Sequence, residues 1–337
     1  MDSGNTYSHD QGVVVKKNIG TYHVRMGGQV LPCAISPRLR KQLIYPTADP
    51  NSLSHIVREV KVLDKADPIA VGDMVRFVDA RDGTGLIVEV LPRRNHLARR
   101  SAVPMPGAHP FEQVIVSNVD YVIPVFAAAS PTPKWSMLDR YLASAESLEL
   151  PVLVVMTKLD LVRGLDGRPV EEIKEVVDEY HQIGYRVVLT SAITGEGLDD
   201  LRQALQGRVS AFVGKSGVGK TALLNALEPG LGLRVGETGS GKIGKGKHTT
   251  SHVEMVSTSF GAELVDTPGV REFGLWDVEK NDLAYFFPEM RPFVGQCRFG
   301  LDCSHDEEPD CAIRKAVMDG KVSPRRYQSF IRLQEDL

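Results

Sequence analysis

Residues 209–225 read V-S-A-F-V-G-K-S-G-V-G-K-T-A-L-L-N. Val209 and the run Ala211 to Val213 have the composition of a buried strand. Gly214 to Thr221 fits G-x-x-x-x-G-K-[ST], and Ala222 to Leu227 reads as a helix start. In that strand–loop–helix context, Gly214, Lys215, Ser216, Gly217, Val218, Gly219, Lys220, Thr221 and Ala222 form a candidate phosphate loop. Glycine tolerates backbone conformations that a Cβ penalises, so successive N–H groups can turn inward toward phosphate oxygens. A helix N-terminus adds partial positive charge at the same place. Lys220 is expected to reach the β- and γ-phosphates, and the Thr221 hydroxyl to ligate Mg²⁺. The blander alternative is an ordinary Gly-rich turn.

The surroundings of this loop are unusual in their order. Upstream, residues 151–160 read P-V-L-V-V-M-T-K-L-D, an apolar strand ending in Thr157, Lys158, Leu159 and Asp160. Residues 185–194 form a second such strand, ending in Ser191 and Ala192. Downstream come His248-Thr249-Thr250 and, after Ala262 to Val265, Asp266-Thr267-Pro268-Gly269. These resemble the five signature motifs of the GTPase G domain, with the base-recognition motifs first and the switch motifs last. That order is similar to the circularly permuted GTPases. The phrases D-T-P-G-V-R-E-F-G-L-W (266–276) and G-K-G-K-H-T-T (244–250) narrow the resemblance to the RsgA/YjeQ family of small-ribosomal-subunit assembly GTPases. It spans nearly the whole chain.

Length and composition are consistent with that reading. A chain of 337 residues suggests two or three domains, and 42% hydrophobic with 25% charged residues is ordinary for a globular protein. No apolar run approaches the ~18 residues of a membrane span. The N-terminal stretch M-D-S-G-N-T-Y-S-H-D-Q-G lacks a signal-peptide layout, so the cytoplasm is expected. Residues 1–108 hold fifteen Lys and Arg against ten Asp and Glu, whereas the remainder is acidic at 25 against 33. A basic amino-terminal module on an acidic body suits nucleic acid, and equally suits a solvated basic face.

Taken in order, residues 1–12 read as a disordered tail. From 13 to 95, short β segments are expected at Gly12–Lys17, Thr21–Arg25, Gln29–Ala34, Met74–Asp79 and Gly85–Leu91, a small barrel or sandwich. The resemblance implies an OB-fold, a barrel that often binds oligonucleotides. Residues 96–112 are expected as a linker. Together with the preceding Pro92 to Asn95, they carry Arg93, Arg94, Arg99 and Arg100 on a plausible phosphate-contacting strap. Residues 113–276 alternate strands and helices, the pattern of a parallel α/β sheet, whose ligands bind at the carboxyl ends of the strands.

The chemistry of each motif follows from residue type. The Asp160 carboxylate can accept from guanine N1–H and N2–H, donors that adenine lacks on that edge. Lys158 would lay its alkyl stem along the base, and the Ala192 N–H would donate to O6. Thr157 stands where the family usually has Asn. Thr249 or Thr250 is the candidate second Mg²⁺ contact, Asp266 would hold Mg²⁺ through water, and the Gly269 N–H would sense the γ-phosphate. Ordinary G domains often carry a water-orienting Gln after that glycine; here it is Val270. The nearest candidate replacement is His248, and a similar histidine stands there in the family.

Residues 277–337 hold Cys297-x5-Cys303-x-His305-x5-Cys311. Three sulfurs and an imidazole make a closed tetrahedral set suited to one structural Zn²⁺. Segments 281–290 and 311–336 are expected to be helical, giving a small domain pinned by metal. The fold expected is therefore multidomain: an OB barrel, a circularly permuted P-loop GTPase domain and a zinc-binding helical domain. The resemblance implies a monomeric GTP hydrolase that binds the small (30S) ribosomal subunit and its rRNA, with no membrane partner, and couples hydrolysis to late subunit maturation. The alternative is a non-enzymatic RNA-binding module with a structural nucleotide site.

Overall fold

Short, twisted strands with one apolar face cannot bury that face alone, and here five of them close on themselves. In a computed structural model, residues 10–18, 20–44, 69–100, 112–164, 170–233, 253–267, 275 and 278–337 are described. Strands β1 (Asp10–Asn18), β2 (Thr21–Met26) and β3 (Gln29–Ile35) form a meander, followed by helix α1 (Pro37–Ile44) and by β4 (Met74–Asp79) and β5 (Gly85–Val90). β3 pairs parallel with β5, and β4 pairs antiparallel with both β5 and β1. The ring β1-β2-β3-β5-β4 is thus complete, and among the described residues no barrel edge is left open. Its filling follows the period of two: Tyr22 and Val24 point in from β2, joined by Val14, Cys33, Val75, Phe77 and Ile87. This is the five-stranded OB barrel expected. β1 starts at Asp10, where it pairs with Phe77, so Asp10 to Gly12 belong to the barrel and not to a tail.

The segment expected as a plain linker is partly built. Strands β6 (His96–Arg100) and β7 (Glu112–Ser117) pair antiparallel, with Leu97 opposite Val116. Beneath them the fully buried Asp73 accepts a two-pronged contact from Arg93 (Nε to Oδ1 2.6 Å, Nη2 to Oδ2 2.7 Å) and a hydrogen bond from the Ser117 hydroxyl (2.6 Å). Arg93 is therefore a structural ion-pair partner and not a free phosphate contact, which corrects its place in the strap. Arg94 donates to the Asn118 carbonyl at 3.0 Å and Arg99 to Gln113 at 3.0 Å.

Beyond Val119 the chain changes class. β8 (Tyr121–Ala127), α2 (Trp135–Ser147), β9 (Leu153–Thr157), α3 (Glu171–Ile183), β10 (Arg186–Leu189), α4 (Leu198–Leu205), β11 (Val209–Val213) and α5 (Lys220–Leu227) alternate. The strands run parallel in the order β10-β9-β8-β11, and every residue of β9 is buried, as expected where helices cover both faces. Chain order reverses at β8, which pairs with β9 on one side and β11 on the other. That reversal is a topological switch point of the kind that binds ligands at strand carboxyl ends.

The hairpin β12 (Glu254–Ser257) and β13 (Glu263–Asp266) groups with the barrel. Lys16 lies opposite Glu254 and pairs with it at 3.0 Å, and Arg25 pairs with Glu263 at 2.8 Å. Residues 278–337 group instead with the parallel sheet. They contain a 3₁₀ segment (Lys280–Phe286) and the helices α6 (Ala312–Met318) and α7 (Pro324–Asp336). The helix expected over 281–290 is thus a 3₁₀ run, and that over 311–336 is two helices broken at Asp319 to Ser323. Ala143 of α2 shares one apolar cluster with Leu283, Phe287, Met290, Ile313 and Phe330. Among the described residues no helix is long and apolar enough to cross a membrane.

Candidate functional site

Three strand ends supply the site: Thr157 closes β9, Leu189 closes β10 and Val213 closes β11. Immediately after β11, Gly214 has φ +153, and a Cβ there would lie 2.6 Å from the Val125 carbonyl oxygen, so only glycine lets the loop pass β8 so closely. Gly219, at φ +95, ends the loop as the residue before α5, with the Thr157 hydroxyl 3.3 Å from where its Cβ would stand. Lys215 and Ser216 are exposed, Val218 is buried, and Lys220, Thr221 and Ala222 open α5 half-buried. The Asn225 side chain donates to and accepts from the Leu233 backbone (2.8 and 2.9 Å), holding the chain that leaves α5.

The base-recognition loop is bound to the phosphate loop at two points. Buried Thr157 donates its hydroxyl to the Val218 carbonyl, with the Phe126 carbonyl also within 3.2 Å. Lys158, in the left-handed region at φ +60, sends its ammonium to the Gly217 carbonyl at 2.7 Å and to the Ser130 carbonyl. Threonine, standing where the family usually has asparagine, is shorter and can donate only once. It does reach the phosphate loop, and its single hydroxyl proton is spent there.

Asp160 sits in a 3₁₀ turn (Leu159–Leu161) anchored by buried Leu159, whose N–H donates to the Thr190 carbonyl at 3.1 Å. The buried Ser191 hydroxyl donates to Asp160 Oδ1 at 2.5 Å and accepts from the N–H groups of Ile193 and Thr194 (3.3 and 3.2 Å). The carboxylate is thereby oriented, with Oδ2 left for a ligand. Ala192 is half-buried beside it. Asp266 is the last residue of β13, opposite Glu254 in the hairpin register. His248, Thr249, Thr250, Gly269 and Val270 lie outside the described residues.

The Cys297, Cys303, His305 and Cys311 side chains converge, with their ligand atoms all within 4.8 Å of one another and all four residues buried. His305 Nδ1 lies 3.4 Å from Cys297 Sγ and 3.5 Å from Cys311 Sγ. Burial pushes the Cys303 thiol up to about 12 and pulls the His305 imidazole down. Uncharged thiols pressed together gain little, whereas a dication would draw off their protons and reverse that penalty. Backbone N–H groups of Ala312 and Arg314 point at Cys297 and Cys311 sulfur (3.2 and 3.5 Å), a further preference for thiolate. The donor set fits a metal ion. Around it, Tyr327 OH donates to the His305 carbonyl (2.7 Å) and Gln334 to the Ser304 carbonyl (2.9 Å), tying α7 to the ligand loop.

A family model described as RsgA GTPase matches residues 90–276. The small ribosomal subunit biogenesis GTPase RsgA of Bacteroides fragilis is 34% identical over 327 residues, covering 97% of this chain and 96% of that protein. The chain belongs to the RsgA GTPase family. Two solved structures of like architecture extend the match: YjeQ from Thermotoga maritima (29% identity, 98% of this chain and 99% of that one, TM-score 0.73) and YloQ, a circularly permuted GTPase (28%, 100% and 97%, TM-score 0.68). As an RsgA GTPase the chain is a GTP hydrolase, with GTP and GDP as its nucleotides and Mg²⁺ as their companion. The permuted order leaves the strand ends where a G domain needs them.

A second feature went unread in the sequence. Fully buried Arg326 of α7 donates to Asp139 Oδ1 of α2 (2.7 Å) and with two nitrogens to Glu289 (2.7 and 3.1 Å), its guanidinium 4.5 Å from the Phe287 ring centre. Tyr180 of α3 donates to the same Asp139 oxygen at 2.6 Å, and Arg325 reaches Asp139 and Glu179 (3.3 and 2.9 Å). The only sequence hint was an acidic residue on the apolar face of α2, at Asp139 between Leu138 and Leu142.

Proposed function

We propose that this GTPase acts on the small ribosomal subunit, binding it and its rRNA in the GTP state and coupling hydrolysis to a late step of its maturation. The observation that carries the reading is the double tie of the base loop to the phosphate loop, through Thr157 to Val218 and Lys158 to Gly217. It puts a carboxylate suited to guanine and a loop suited to phosphates on one frame. The Bacteroides fragilis relative, a small ribosomal subunit biogenesis GTPase, supports the biological half.

In this reading Asp160 takes the guanine N1–H and N2–H, the Lys158 stem covers the base, and the Ala192 N–H donates to O6. The N–H groups of 214 to 222 cradle the phosphates, and Lys220 neutralises them. Thr221 and Asp266, with Thr249 or Thr250, would hold Mg²⁺, which when bound neutralises charge developing on the phosphates. The Gly269 N–H senses the γ-phosphate and His248 positions the attacking water, since Val270 cannot. Cys297, Cys303, His305 and Cys311 hold one structural Zn²⁺. The protein works as a cytoplasmic monomer, its barrel and the remaining strap arginines facing rRNA. Co-sedimentation with purified small subunits tests the coupling. Retention is expected to be stronger with a non-hydrolysable GTP analogue than with GDP, and equal retention in both states would overturn it.

A further inference from the structure

Away from the nucleotide loops, the start of α2 and the first turns of α7 border one cleft of about 420 Å³, lined by Lys134, Trp135, Ser136, Arg325, Gln328, Ser329 and Arg332. Three of these residues are cationic and none is acidic. Arg325 is engaged with Asp139 and Glu179, but neither Lys134 nor Arg332, both exposed, makes an ion pair among the described residues. The start of α2 adds to the positive character. Its N-cap, Lys134, supplies no capping side chain, and among the described residues nothing accepts from the Trp135 and Ser136 N–H groups.

The second observation comes from the other helix. Ser329 is only 3% exposed, yet it lines this cleft and its hydroxyl has no hydrogen-bond partner among the described residues. Its oxygen is left to the cleft, where a ligand or water can supply the hydrogen bond. The half-buried Ser136 hydroxyl and the exposed Gln328 amide lie along the same wall. Unspent cations, open helix N–H groups and idle hydroxyls together ask for an anion rich in acceptor oxygens.

We propose that this cleft binds a small phosphate monoester, a sugar phosphate or a mononucleotide. At neutral pH a phosphate monoester carries ~1.5 to 2 negative charges and three acceptor oxygens, matching two free cations and a row of donors. The volume, at the small end of the ~300–1,000 Å³ typical of ligand pockets, suits one such molecule and not a run of polynucleotide. The Trp135 ring, with the Arg325 guanidinium 6.0 Å from its centre, forms one wall against which a sugar or base can rest.

Fluorescence reads the site directly, because the chain has two tryptophans and Trp276→Phe leaves Trp135 as the sole reporter. With the guanine site filled by excess GDP and Mg²⁺, the full chain is titrated with ribose 5-phosphate, AMP and adenosine. A saturable change with either phosphate, and none with adenosine, is expected. The apparent dissociation constant should rise at least tenfold in Lys134→Ala/Arg332→Ala and about threefold in Ser329→Ala. GTP turnover of these variants without subunits should match the parent, showing that they are folded. Silence with both phosphates, an undiminished response in the double variant, or an equal response to adenosine would overturn the proposal. So would a response to a single-stranded RNA oligonucleotide when both small phosphates are silent.

Discussion

Asp160 chooses the base in this account, and the choice rests on one oriented carboxylate. Ser191 holds Oδ1 at 2.5 Å, which aims the group at the ring N1–H and exocyclic N2–H of guanine. Asp160→Asn replaces an acceptor oxygen by an N–H₂ that would face those donors. GTP affinity should fall roughly 10- to 100-fold, from loss of charge-assisted hydrogen bonds of about 1.5–3 kcal/mol each. Xanthosine triphosphate, whose 2-oxo group accepts from an amide, should gain. Competition binding with GTP, XTP and ATP checks this, and unchanged GTP preference would remove Asp160 from the role. The residue types of the site were legible because each motif demands its own chemistry. The use of Thr157 was not. That a hydroxyl would reach the Val218 carbonyl depends on how closely β9 and β11 approach β8, and residue spacing carries no such distance.

At the scale of elements, the five barrel strands were read within a residue or two, whereas the stretch 185–194 forms a strand only over Arg186–Leu189. What escaped was α1, with its alternation of basic and apolar residues, and the strands β6, β7 and β12, which are short and carry charge. Their pairing is set by partners elsewhere in the chain, such as Asp73 with Arg93 and Lys16 with Glu254. The C-terminal helices show the same dependence. Around the metal ligands the chain is mostly turns, so the site must stand in for regular structure. Chelation, or Cys303→Ser, should loosen residues 297–311 and the Tyr327 and Gln334 ties to α7, while nucleotide affinity changes little. Hydrogen exchange across α6 and α7 with metal analysis is the check; protection that persists without metal would contradict it. Arg326→Ala removes the cation between buried Asp139 and Glu289 and should destabilise the parallel-sheet body by about 3–5 kcal/mol. Urea denaturation measures it, and a loss under 1 kcal/mol would mean that the two carboxylates find other partners.

For the whole molecule, the order of the motifs along the chain was the most legible feature, because a permutation rearranges connections and leaves chemistry alone. The strand order β10-β9-β8-β11 bears this out: base loop and phosphate loop meet across the end of β8 though 56 residues lie between Thr157 and Gly214. Charge was less informative. The basic surplus of the first 108 residues includes Arg93, which is bound to Asp73, and Arg25 and Lys16, which are paired with the β12–β13 hairpin. Net charge counts such residues as free although they serve the fold, so it overstates what remains for RNA. The central claim is that this chain spends GTP on the small ribosomal subunit. It is tested most directly by GTP turnover of the purified chain with and without purified small subunits, beside Lys220→Ala. The account predicts hydrolysis of GTP and not ATP, accelerated at least tenfold by small subunits and absent from the variant. Turnover that small subunits leave unchanged, or that survives Lys220→Ala, would contradict it.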